Sequence, residues 1–246
     1  MLRTWQFGLL ILGSAAAAAN PLEADSMKME GTTFTVRIEN VSSPSTLHSA
    51  SGMTAPAPNS PGLWVVHTRP ARLFKAGKPD LGWGLEPQAE DGNPATLAEH
   101  CMHHQGVVSS GIINTPLGDE QPGPAMPGKA YQFTITAKPG ERLSLTTMFG
   151  PSNDLFFAPK EAGIALFDKA GEPMSADVTS QLVLWDTGTE VNQEPGFGPD
   201  QAPRQSAPNT GASERKPVMP VKDAFSYPPV AQVIKVTITP SAMASQ

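Results

Sequence analysis

Leu182-Val183-Leu184-Trp185-Asp186-Thr187-Gly188-Thr189-Glu190 is a short apolar run that stops in two carboxylates with a glycine between them. The run is too short for a helix and reads as a strand, with Thr-Gly-Thr as the turn out of it. Upstream, Arg142 to Phe149 reads as a second strand, which runs into Gly150-Pro151-Ser152-Asn153-Asp154, a turn that ends in another acid. Two strand ends, each followed by an acidic loop, are what a calcium site at the rim of a β-sandwich needs. Calcium is a hard cation that takes about six to eight oxygens, largely from carboxylates and carbonyls. The candidate ligands are Asp154, Asp186 and Glu190.

The rest of the chain supports the strand reading. Thr32 to Glu39 alternates, with Phe34, Val36 and Ile38 on one face. Gly62 to Thr68 is a buried strand. Ala130 to Ala137 alternates through Tyr131, Phe133 and Ile135, and Pro139-Gly140 predicts a hairpin to Arg142–Phe149. Gly163 to Asp168 is short, and Val230 to Thr239 closes the domain with Ile234, Val236 and Ile238 on one face. One helix is expected: Asn93 caps it, Pro94 suits its first position, and Gly106 stops it after Gln105. Residues 191–229 are proline-rich and lack apolar periodicity; they read as a surface loop ordered only at its first residues. The fold class is therefore all-β, an antiparallel sandwich with one short helix and a long proline-rich loop.

Composition narrows the function. The formal net charge is −6, which argues against a nucleic-acid partner. Arg3, the apolar stretch from Phe7 to Leu12 and the small residues Ala15 to Ala19 form a secretory signal over residues 1–19, followed by a flexible N-terminus over 20–31. The apolar stretch falls short of the ~20 residues a membrane span needs, so no transmembrane segment is expected after cleavage. The protein is expected to be secreted or periplasmic. Its one cysteine, Cys101, permits no internal disulfide and reads as a small buried hydrophobe.

Four blocks in order resemble the spondin domain, found in F-spondin and mindin and as a stand-alone secreted protein in bacteria. They are Phe34-Thr-Val-Arg-Ile-Glu-Asn-Val41, Gly84-Leu-Glu-Pro-Gln-Ala-Glu-Asp-Gly-Asn-Pro-Ala95, Arg142 to Phe157, and Trp185-Asp-Thr-Gly-Thr-Glu190. The resemblance covers about residues 32–239 and leaves 240–246 as a tail. It implies an antiparallel sandwich, related to calcium-dependent membrane-binding sandwiches, with one calcium held by Asp154, Asp186 and Glu190. Glu190 stands where the family has aspartate, and Pro87 is a second departure.

Other chemistry is weaker. His100, His103 and His104 share the expected helix, and the first and last face one way; a periplasmic metal carrier could use them, although such clusters are more often solvated. Glu86, Glu90 and Asp91 read as acids at a helix entry. No nucleophile elbow or phosphate loop is present. The expectation is a non-enzymatic, calcium-binding adhesion or binding module with an unidentified protein or cell-surface ligand. The rivals are a metal-dependent hydrolase that uses the same acids and the metal carrier.

Overall fold

A computed structural model describes residues 31–71 and 73–241. The expected signal, residues 1–19, lies outside them, as do the N-terminal stretch up to residue 30 and the tail beyond Ser241.

The described residues form thirteen strands: β1 Thr32–Asn40, β2 Leu47–His48, β3 Thr54–Ala55, β4 Asn59–His67, β5 Val107–Ile113, β6 Ala130–Ala137, β7 Arg142–Phe149, β8 Leu155–Pro159, β9 Ile164–Ala165, β10 Ala176–Asp177, β11 Leu182–Asp186, β12 Met219–Pro220 and β13 Ile234–Pro240. One sheet has the order β10-β13-β1-β6. The larger sheet has the order β12-β11-β8-β7-β4-β5, with β9 added beside β7, and β2 and β3 form a small ribbon. The pairings are antiparallel throughout. The fold is the expected all-β sandwich.

Period-two alternation explains the core between the sheets. Phe34, Val36 and Ile38 of β1 meet Tyr131 and Ile135 of β6, Val236 and Ile238 of β13, and Leu145, Phe149 and Phe157 of the opposing sheet. Each fully buried side chain of this size contributes about 1.5–3 kcal/mol. A second apolar layer covers the outer face of the larger sheet. There Leu63, Val65, Phe156, Ala158 and Trp185 pack under Leu85, Ala89, Leu97 and Cys101. These last four come from two helices, α1 Leu85–Glu90 and α2 Ala95–Met102; a third, α3 Val230–Val233, leads into β13.

Three expectations need correction. The described residues hold not one short helix but three. α1 tolerates Pro87 because the first turn of a helix has no use for that N–H. α2 ends at Met102 rather than Gln105, with Asn93 Oδ1 receiving the Ala95 N–H at 3.2 Å. Nor does Pro139-Gly140 close a hairpin, because β6 pairs with β1 in one sheet while β7 pairs with β4, β8 and β9 in the other. The turn instead carries the chain across the sandwich. Finally, residues 191–229 are fastened well past their start. Val191 N bonds to Ala212 O, Glu214 N to Thr189 O and Lys216 N to Gly188 O, and Val218 and Lys78 continue the tie. β12 then joins the edge of β11.

Candidate functional site

The end of β11 and the corner before β8 meet at one rim, where Asp186 pairs with Leu155 and Thr187 N donates to Asp154 O at 3.2 Å. Gly188 turns the chain there with φ of 73°, and a Cβ on it would lie 2.6 Å from Lys216 O. No side chain fits that turn without strain.

The three predicted acids hold this rim together, each in its own way. Asp154 is fully buried, and its Oδ2 accepts the N–H groups of Thr189 (2.8 Å) and Glu190 (3.1 Å) and the Thr189 hydroxyl (3.3 Å). Asp186 Oδ1 accepts Gly188 N at 2.7 Å, and its Oδ2 accepts Asn192 Nδ2 at 2.8 Å. Glu190 Oε1 accepts Gly211 N at 3.0 Å and Oε2 accepts Asn153 Nδ2 at 3.3 Å. The asparagine's own Oδ1 takes Gln193 N at 3.0 Å.

Strand alternation separates them. Asp154 precedes Phe156 and shares its face, beneath α1, whereas Asp186 follows Leu184 towards the sandwich core. Among the described residues no three Asp, Glu, His or Cys side chains come together closely enough to hold a metal ion. Asp154, Asp186 and Glu190 therefore share a rim without forming one coordination shell in this geometry.

A fourth acid went unrecognised in the sequence. Glu90 ends α1 and is 2% exposed, and no hydrogen bond reaches either of its oxygens. The sequence groups it with helix-entry acids, but it occupies the last turn of α1, where the helix dipole disfavours negative charge. The available signal was its place directly after Ala89 on the buried face of a helix. Burial pushes its carboxyl up to about 8; the Thr189 hydroxyl, which donates to Asp154 Oδ2 but lies close enough to act on Glu90, opposes this, and Glu190, Glu86 and Asp154 add repulsion. Asp154 rises to about 7, through burial and then the charge of Asp186, against the pull of the Glu190 and Thr189 N–H groups. Burial also raises Asp186 and Glu190, more weakly opposed by their amide partners.

Asp154 Oδ1 likewise has no hydrogen-bond partner. Among the described residues the one ion pair at this rim joins Lys216 Nζ to Glu214 Oε2 at 2.7 Å, and that lysine side chain is 69% exposed. Buried carboxylates without a counter-charge must bind a proton or a cation. The free donors are carboxylate oxygens, with the buried Thr187 hydroxyl also unpartnered, and this hard-oxygen chemistry fits calcium.

The alternative sites fare differently. His100 stacks on Trp83 with ring centroids 4.3 Å apart and planes at 17°. His104 is tilted at 6.0 Å from both, and His103 is exposed. Cys101 is buried and its thiol is pushed up to about 11, which leaves it unreactive. The sequence did not single out His67 and Ser144, which lie 2.9 Å apart through Nε2 and Oγ. Both are buried, the charge acting on His67 is that of Arg142 rather than an acid, and the cavity beside Ser144 measures about 10 Å³. A substrate has no room there.

No family model matches the chain, and no curated protein matches it significantly. Among the described residues no helix is long and apolar enough to cross a membrane.

Proposed function

We propose that the protein is a non-catalytic, exported binding module whose acidic rim takes calcium. The observation that carries this reading is the buried, unpartnered carboxylate chemistry of Asp154 Oδ1 and both oxygens of Glu90. The resemblance of four sequence blocks to the spondin domain supports it. Asp154 and Glu90 would hold the ion, and Asp186 and Glu190 would keep the surrounding loop in shape. A bound calcium would supply the positive charge that the buried carboxylates lack.

This chain's own residues do the rest. Asp154 Oδ2 gathers the 187–190 turn, Asn153 and Gly211 hold Glu190, and the returning segment 212–216 closes over the turn. Neutralising the rim would stiffen one wall of the loop and present a fixed surface to a ligand. The enclosure of the His67–Ser144 pair, beside a cavity of only about 10 Å³, favours binding over hydrolysis.

Thermal melts in calcium and in chelator test the reading. A ligand specific to the folded state adds about 2.7 kcal/mol at a hundredfold excess over Kd, so calcium should raise Tm by several degrees. Coincident melts of protein shown to be metal-free would refute the calcium site, as would an unchanged calcium response in both Asp154→Asn and Glu90→Gln.

A further inference from the structure

Beside the acidic rim lies a cleft of about 350 Å³, within the range of small-molecule sites, about 300–1,000 Å³. Four separate segments wall it: the entry to β4, the Gly150-Pro151 corner, Pro124 with Met126, and Gly196 with residues 201–204 of the long loop. Asp91, next to Glu90, stands at its edge.

The walls are unusual in what they cannot do. Pro56, Pro58, Pro61, Pro124, Pro151 and Pro203 all line the cleft, and none has an N–H to donate. Of their carbonyls, Pro58 O is taken by Gly150 N, Pro61 O by Gln88 Nε2 and Pro151 O by Gly196 N. Gln201 is also fully engaged: its Oε1 accepts Gly196 N at 2.9 Å, and its Nε2 donates to Glu194 O at 3.0 Å. An extended peptide docks by backbone hydrogen bonds along its length, and the six prolines here supply no N–H while three of their carbonyls are already taken. An apolar body is what the prolines, Met148 and Ala202 accommodate, and their rigidity lowers the ordering cost of binding.

One strong donor remains. Arg204 lines the cleft, its guanidinium lies 5.6 Å above the Phe197 ring, and among the described residues no salt bridge or side-chain hydrogen bond engages it. Asp91 does not neutralise it; its Oδ1 instead receives Gln205 Nε2 at 2.8 Å and Asn209 N at 3.4 Å. A planar guanidinium at the mouth of an apolar pocket is suited to a carboxylate, which it can grip through two parallel hydrogen bonds.

We infer that this cleft binds a small, largely apolar molecule carrying one carboxylate, with the apolar body among the prolines and the anion on Arg204. The inference names a ligand class for the binding-module reading and rests on it, but uses none of the proposed calcium ligands.

Isothermal titration of the purified chain with sodium decanoate tests it, in calcium and in chelator, with decanol as the uncharged control. The expected result is saturable one-to-one binding of decanoate, at least tenfold weaker for decanol and for Arg204→Gln. Ala202→Trp, which fills the cleft, should abolish it. Arg204 is exposed, so Arg204→Gln should keep the wild-type Tm and remains informative if Ala202→Trp fails to fold. Decanoate that gives no saturable heat with folded protein would overturn the inference, as would binding that Arg204→Gln leaves unchanged. Failure of decanoate binding in a protein that calcium still stabilises would sink this inference alone. Decanoate binding without any calcium effect would sink the calcium site alone.

Discussion

Two places on the larger sheet's outer side collect metal-ligating side chains, and they differ in the charge those groups carry when they lose a proton. On α2, His100 and His104 lie near each other against Trp83, and His100 Nε2 is buried without a partner but uncharged when deprotonated. Under the end of α1, Glu90 and Asp154 have buried oxygens that nothing engages. The imidazoles can remain neutral at little cost, and burial together with the neighbouring imidazole lowers the pKa of His100 to favour that state. The carboxylates become neutral only by holding a proton, and with values raised to about 8 for Glu90 and about 7 for Asp154 they give it up as pH rises through neutrality. Density of ligand-type residues is thus a poor guide to a cation site, and unmet charge a better one.

The largest effect should come from Asp154→Ala. It removes the acceptor of two backbone N–H groups and a hydroxyl in a buried rim, and hydrogen bonds to a charged acceptor are worth about 1.5–3 kcal/mol each. A loss of about 3–5 kcal/mol in urea denaturation is expected. A loss below about 1 kcal/mol would mean that the rim is not held as described.

Gly188→Ala should come next, at about 2 kcal/mol. The new Cβ would require a disfavoured positive φ and would press on Lys216 O. A neutral effect would show that the 212–216 return can slide.

The pH dependence sharpens the contrast between oxygen and nitrogen sites. Asp154 and Glu90 have folded pKa values of about 7 and about 8, above the roughly 4 of unfolded carboxyls. Between these limits the folded state binds more protons than the unfolded state, so stability falls as pH rises. In chelator, Tm should therefore decline from about pH 4 to about pH 8, and calcium should flatten the upper part of that decline. A Tm that rose over this window in chelator would contradict the unmet charge at Glu90 and Asp154.

The smallest effect should be that of His100→Ala with His104→Ala. Calcium stabilisation should survive unchanged, because nitrogen donors are poor calcium ligands. Stability should drop by about 1 kcal/mol through the lost stacking on Trp83. Loss of the calcium response in this double variant would move the site from α1 to α2.

The sandwich was legible because its strands bury one side. Phe34, Val36 and Ile38 mark the inner face of β1 by spacing alone, and Ile234, Val236 and Ile238 do so for β13. Partnership was not legible. Pro139-Gly140 specifies a turn and says nothing of which sheet receives each arm. The long loop misled for a related reason: its ties at Val191, Glu214 and Lys216 are backbone hydrogen bonds, which leave no apolar period. Asp154, Asp186 and Glu190 could be picked out as rim acids from the strand ends they follow. Their separation onto different faces could not, since it depends on the register of β8 against β11. Glu90 was hard to pick out because its place after Ala89 on α1 is a weak signal, and tertiary packing is what separates this buried acid from the half-buried Glu86 and Asp91.

The return of residues 212–216 onto 188–191 has one more consequence. Residues 192–211 form a span tied to the sheet at both ends, with Glu194 and Gly196 pinned part-way to Ala50 and Pro151. A protease that cut near Pro208, in the exposed part of that span, would release no fragment. The nicked chain would separate into two pieces in denaturant yet keep its native size by gel filtration. The span behaves as a fastened strap, and severing it once does not undo it.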